Sequence, residues 1–397
     1  MEKVSERLKR MSVSATLAMT QKSRDLQSQG FDVINLSIGE PDFDTPIHVK
    51  EAAKKAIDEN YTHYSPVPGY ISLKKAIVNK FKRENNLEFS ESQIVVSAGA
   101  KHSIINVFLS IINPGDEVIV PAPYWVSYVD MIGLAEGIPI VISCGIDSDF
   151  KMTADQLEKT ITPKTRAIIY SSPSNPTGSL YTKQELESIA KVIENHPNII
   201  VISDEIYEHI NFVGEHESIA QFDIIKDRIV VVNGVSKGYA MTGWRIGYIG
   251  APIWIAKSVT KLQGQFTSGA CTIAQKAAEA ALNAGSASCV EMKEVFLKRR
   301  DLVLGLLKEI NGLKTNVPLG AFYVFPEISH FFGKSDGNYT INNSSDLALY
   351  ILETEKVATV GGDAFGSPEC LRFSYATSED RLIEAIVRIK RALSKLK

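Results

Sequence analysis

The chain has 397 residues, 44% of them hydrophobic and 22% charged, a balance that fits a folded protein of about two domains and excludes a disordered one. Lys and Arg number 43 against 46 Asp and Glu, so the net charge is −3. That leaves no basic excess for nucleic acid, and no apolar run approaches the roughly 20 residues of a membrane span. The four cysteines (Cys144, Cys271, Cys289, Cys370) are far apart and form no C-x-x-C pair. They read as reduced thiols of a cytoplasmic protein, not as a disulfide framework or a zinc site. The seven histidines form no metal-binding pattern, so no metal is expected. The N-terminus mixes Lys3, Arg7, Lys9 and Arg10 with Glu2 and Glu6, and no apolar stretch follows, so a secretory signal is not expected.

In chain order, short β-branched runs alternate with helical segments from about residue 50 to 290. The predicted strands are 94–97, 117–120, 138–144, 166–170, 199–203, 228–232 and 246–250. Most are apolar at consecutive positions, the pattern of strands buried on both faces of a mainly parallel sheet. Helices are predicted at 101–112 and 183–194, the second opened by the capping box Thr182 and Glu185. From about 287 the order changes: a long charged helix (287–309), strands at 321–325, 357–360 and 371–375, a helix near 346–354 and a closing amphipathic helix from Glu379. The expected fold is α/β, with a three-layer large domain at 48–287. A smaller α+β domain is built from 288–397, and the family resemblance given below implies that 1–47, with an N-terminal arm, joins it.

In an open α/β sheet, ligands bind beyond the carboxyl ends of the strands. After 94–97 comes Ala98-Gly99-Ala100, a small-residue turn into a helix. It reads either as a phosphate seat made of free N–H groups or as a tight turn. Asn175 precedes Pro176 and is held extended beyond 166–170; Asp204 and Tyr207 follow 199–203; Ser236 and Lys237 follow 228–232, with Arg245 eight residues on. A lysine between small residues at a buried strand end can lose its proton to desolvation and act as a nucleophile. Trp125 offers a plane on which a flat ring could stack. The stretch Gly234-Val-Ser236-Lys-Gly238 matches the hydrolase G-x-S-x-G pattern, but the only histidine downstream is His330, in or near a loop, and no acid is singled out.

Taken together, a Schiff-base lysine, an acid for a ring nitrogen, hydroxyl and amide donors for a ring oxygen and a phosphate seat suit pyridoxal 5′-phosphate. The chain resembles the fold-type I pyridoxal-phosphate aminotransferases, most closely their bacterial aspartate aminotransferase subgroup. The resemblance rests on Asn35-Leu-Ser-Ile-Gly-Glu-Pro-Asp-Phe-Asp-Thr-Pro46, Tyr64 with Pro68-Gly69, 171–178, Ser203-Asp-Glu-Ile-Tyr207, Ser236-Lys237, Gly243-Trp-Arg-Ile-Gly247 and Arg372-Phe-Ser-Tyr-Ala-Thr377. It implies that Lys237 carries the cofactor and moves the substrate proton, that Asp204 keeps the ring nitrogen protonated, and that Tyr207 and Asn175 bond the ring oxygen. Trp125 would stack on the ring, while Gly99, Ala100, Ser236 and Arg245 would hold the phosphate, with Lys101 a further cofactor contact and Tyr64 reaching the phosphate from the second subunit of a homodimer. Arg372 and the Gly39 N–H would take the substrate α-carboxylate, beside Trp125 and Asn175. The segment 263–270 lacks an arginine for a distal carboxylate, and Lys101 with Thr16 is implied in its place. The implied reaction is transamination between aspartate or glutamate and a 2-oxo acid. Aromatic or prephenate-type substrates, or another pyridoxal-phosphate activity on the same fold, are the alternatives.

Overall fold

Described over residues 4–397 in a computed structural model, the chain begins with a short helix, Glu6–Lys9, followed by the helix Ala15–Ser28 and strand β1 (Ile34–Asn35). The central sheet follows: β2 (Ile94–Ser97), β3 (Glu117–Ala122), β4 (Ile138–Ser143), β5 (Thr165–Ser171), β6 (Ile200–Asp204), β7 (Ile229–Gly234) and β8 (Gly247–Gly250). Its seven strands lie in the order β2-β8-β7-β6-β5-β3-β4, and only β8 runs antiparallel to its neighbours.

The consecutive apolar residues of these strands have a simple cause. Successive side chains of a strand point to opposite faces, and here both faces are covered. Ile168, Val201 and Val231 pack into one core cluster, while their neighbours Ile169, Ile202, Val230 and Val232 pack into another on the far side. Helix Lys183–Glu194 opens as its sequence demands, with Thr182 and Glu185 capping each other reciprocally. It buries Leu186, Ile189, Ala190 and Ile193 against the first cluster.

A third cluster joins the two ends of the chain. Ile34 and Leu36 pack with Phe296, Phe322, Leu347, Phe373 and Ile386. Two small sheets belong to it. β1 pairs in parallel with β10 (Val357–Ala358), and β11 (Val360–Gly361), β12 (Leu371–Ser374) and β9 (Tyr323–Val324) form an antiparallel set. The closing helix Glu379–Ser394 lays Leu382, Ala385, Ile386 and Ile389 onto this core.

Two predicted strands are corrected. The expected strand 321–325 shrinks to β9, because Ala321 has φ +56° and its N–H turns aside to the Ile210 carbonyl. The expected strand 357–360 is two strands with different partners: β10 adds to β1 and β11 to β12, the chain changing sheets at Thr359. The seven strands of the large sheet were legible to within one or two residues at each end. No helix of the described residues is long and apolar enough to cross a membrane.

Candidate active site

The carboxyl ends of the parallel strands converge on one cavity of about 270 Å³. β6 delivers Asp204 and, one turn later, Tyr207. β7 delivers Ser236 and Lys237, and the loop after β5 delivers Asn175. β12 of the smaller sheet contributes Arg372 from mid-strand, and helix Ala15–Ser28 contributes Thr16. Gly39, Ala100, Lys101, Trp125 and Arg245 complete the set among the predicted residues. Two predicted residues do not line it. Gly99 stands just behind, capping helix Ala100–Ile111 with φ +93°, and a Cβ there would run into the Arg245 guanidinium. Tyr64 is 96% exposed and lies away from the cavity of its own chain.

The charge in the cavity is lopsided. Lys101, Lys237, Arg245 and Arg372 face it against one carboxylate, Asp204. None of the four cations forms an ion pair with an acid among the described residues. The most demanding case is Arg372, 2% exposed. Its guanidinium donates to Asn175 Oδ1 at 2.9 Å and to the Ser37 carbonyl at 2.5 Å. It lies between the rings of Tyr323 (4.7 Å) and Phe365 (4.9 Å), and its Nε has no partner. Burying a charge is costly unless it is paired, and burial accordingly lowers the Arg372 pKa. An anionic ligand would complete the set.

Lys237 Nζ donates to the Gly39 carbonyl at 2.5 Å and faces the Tyr207 ring. Burial pushes its pKa down to about 8, helped by Arg245 and Arg372 and opposed by Glu40 and Asp204. The neutral amine is therefore accessible near physiological pH, as a nucleophile or a base requires. Asp204 shows the opposite shift. Burial raises it to about 6, against the stabilising bond from the Tyr128 hydroxyl at 2.6 Å. A cationic ring nitrogen beside this carboxylate would relieve that penalty. At the far wall, Lys101 Nζ lies 4.8 Å over the Trp125 ring, and partial desolvation with the charge of Arg245 lowers its pKa. Arg245 donates to the Thr242 carbonyl at 2.6 Å and sits beside the N-terminus of helix Ala100–Ile111, where free N–H groups favour an anion. Lysine, acid, ring plane and phosphate seat thus fit pyridoxal phosphate in the donor types they supply.

The segment 32–389 matches the family model for aminotransferases of class I and II. The chain belongs to the aminotransferase class I and II family. Its relatives include a probable aspartate/prephenate aminotransferase of Rickettsia bellii, 48% identical over 99% of both chains, and an aspartate/prephenate aminotransferase of Nitrosomonas europaea, 46% identical over 99% of this chain and 100% of that one. Among solved structures, the aspartate aminotransferase of Rhizobium meliloti superposes over 100% of both chains with a TM-score of 0.96 at 42% identity. Like other aminotransferases of this family, the chain uses pyridoxal phosphate, and its α/β fold with a mainly parallel sheet is theirs.

Among the cavity residues that sequence reasoning did not single out, two tyrosines hold predicted ones in place. Tyr128, wholly buried, holds Asp204 and stands edge-on to Trp125 at 5.5 Å. Trp125 stands just before the helix Ser127–Leu134 that carries Tyr128, and nothing in the sequence marks the Tyr128 hydroxyl. Tyr323 bonds the Tyr207 hydroxyl at 2.8 Å. In sequence it is one more aromatic in an apolar stretch, with nothing to mark its hydroxyl. The G-x-S-x-G reading fails on placement, since His330 packs beside Gly312 and does not line the cavity that Ser236 lines.

Two clusters of acids and histidines, Glu84 with Glu208 and His209, and Glu205 with Glu208 and His216, lie apart from the cavity. Lys80, fully buried, places its ammonium against Glu208 there, the position a cation would take.

Proposed function

We propose that this chain transaminates L-aspartate and L-glutamate with 2-oxoglutarate and oxaloacetate, as a cytoplasmic homodimer in which Tyr64 enters the partner's site. The observation that carries the substrate class is the cavity's four unpaired cations against one carboxylate. A ligand with a phosphate and two carboxylates would neutralise them. The unpaired exposure of Tyr64 supports the dimer reading. The proposed working units are 48–287, which carries Lys237 and the phosphate seat, and 1–47 with 288–397, which carries Arg372.

Bound at Lys237, pyridoxal phosphate supplies an electron sink for the charge left when a proton leaves the amino acid Cα. In the proposed mechanism Ala100, Ser236 and Arg245 would grip its phosphate, with Gly99 shaping the turn behind them. Trp125 covers one face of the ring, Asp204 holds the proton on the ring nitrogen, and Tyr207 and Asn175 bond the ring oxygen. Arg372, with the Gly39 N–H, grips the α-carboxylate as a two-pronged donor, the geometry in which arginine excels. Lys101 and Thr16 take the distal carboxylate. With both ends fixed and the substrate's amino group having replaced it on the cofactor, Lys237 Nζ is a free amine, neutral above about pH 8, and would take the Cα proton and hand it on. Prephenate is a second reading, because relatives at 46–48% identity carry that word in their names and it too is a dicarboxylate.

The test is a half-reaction panel. The protein loaded with pyridoxal phosphate should be yellow, and aspartate and glutamate should bleach it faster than alanine or phenylalanine. A colourless loaded protein would refute the cofactor roles; equal bleaching by alanine would refute the substrate class.

A further inference from the structure

Tyr323 stands where the residues read as cofactor contacts and those read as substrate contacts meet. It is fully buried on β9, its hydroxyl 2.8 Å from that of Tyr207 and its ring face 4.7 Å from the Arg372 guanidinium. The same hydroxyl abuts Gly39, where a Cβ would collide with it, so the backbone that accepts from Lys237 is set by this contact too. Phe322 and Phe325 beside it fill apolar space without a hydroxyl. A phenylalanine at 323 would pack equally well, so packing does not account for the oxygen. Two hydroxyls in contact carry one proton each, and only one of the two can point at the other. If Tyr323 donates, the Tyr207 proton is free for the cavity.

We propose that Tyr323 is a positioning residue: its hydroxyl donates to Tyr207 and aims the Tyr207 proton at the cofactor's ring oxygen, while its ring holds the Arg372 plane for the α-carboxylate. The proposal rests on the roles given above to Tyr207 and Arg372. It ties cofactor and substrate contacts to one side chain of the smaller sheet. Hydrogen bonds in such a chain polarise one another, so the first donor strengthens the second. The charged groups facing the pair are Arg372 and Asp204, and those facing Lys237 are Glu40, Arg245, Arg372 and Asp204.

Two variants separate the hydroxyl from the ring. In cofactor-loaded Tyr323→Phe the weakened Tyr207 donor leaves more negative charge on the ring oxygen. The neighbouring lysine-linked nitrogen then keeps its proton to higher pH, and the midpoint of the visible absorbance change should rise by about 0.4 pH unit. The KM for aspartate should stay within about twofold. Tyr323→Leu should show the same rise and a further KM increase of about 2- to 5-fold from the lost guanidinium–ring contact. An unchanged midpoint in Tyr323→Phe overturns the hydroxyl's role, and equal KM values in the two variants overturn the ring's. Absence of a yellow chromophore in the wild-type protein would instead refute the cofactor roles beneath the proposal.

Discussion

Replacing Arg372 by lysine keeps the charge and removes the fork, which makes it the sharpest test of the substrate reading. A guanidinium has five N–H donors. Two are spent on Asn175 and Ser37, which orient the plane, and Nε is left without a partner in the protein. A lysine offers one ammonium on a flexible stem. It loses at least one charge-assisted bond to the carboxylate, about 1.5–3 kcal/mol, and the packing between two rings, about 0.5–1 kcal/mol. The sum of about 2–4 kcal/mol corresponds to a fall of roughly 30- to 1000-fold in kcat/KM for aspartate. Because the α-carboxylate is held before and during proton transfer, much of the loss should appear in KM. Stopped-flow bleaching of the chromophore by L-aspartate measures it, with circular dichroism melts to confirm that the variant is folded. A folded Arg372→Lys protein within threefold of wild type would mean that the α-carboxylate binds elsewhere.

Lys101→Ala should slow aspartate about tenfold more than it slows alanine, since only aspartate has a distal carboxylate to lose a partner; equal losses with both amino acids would place Lys101 elsewhere in the mechanism. Lys80→Met should cost about 3–5 kcal/mol in urea unfolding, because it strands the buried Glu208 carboxylate. Burial alone would raise that carboxyl, yet Lys80, His209 and His216 outweigh it and hold it down at about 2. Adding Glu208→Gln should recover much of the loss, and no recovery would show that the pair is not the cause. In the cofactor-free protein, Lys237→Met should be more stable than wild type at pH 7. The wild-type lysine has a pKa of about 8 when folded against 10.5 when unfolded, so between these values the unfolded chain binds more protons. Wild-type stability then rises with pH through that window, and the variant's advantage should shrink toward pH 10.5. An advantage independent of pH would refute the depressed lysine.

What was legible in the sequence follows from local physics. Strands covered on both faces must be apolar at every position, so Ile229–Val232 marks a central strand without any knowledge of its neighbours. The carboxyl ends of such strands are where ligands bind, so Asp204, Lys237 and Asn175 could be picked out from position alone, and family resemblance supplied their roles. Arg372 was conspicuous as a cation inside an apolar strand. Short strands failed for the matching reason. β9, β10 and β11 are two residues each, too few to carry a pattern, and the partners across the sheet decide where they start and stop.

Three things came only from the tertiary structure. That the N-terminal segment joins the C-terminal elements was expected, but the contact that does it was not: β1 pairs with β10, between residues more than 300 apart in the chain. The lopsided charge of the cavity is invisible in a net charge of −3, since it arises from which four cations are left without acids once the chain folds. And the hydroxyls of Tyr128 and Tyr323 acquire meaning only from the atoms 2.6 and 2.8 Å away. A sequence records that an aromatic residue is present; which polar atom its hydroxyl meets is set by packing between elements distant along the chain.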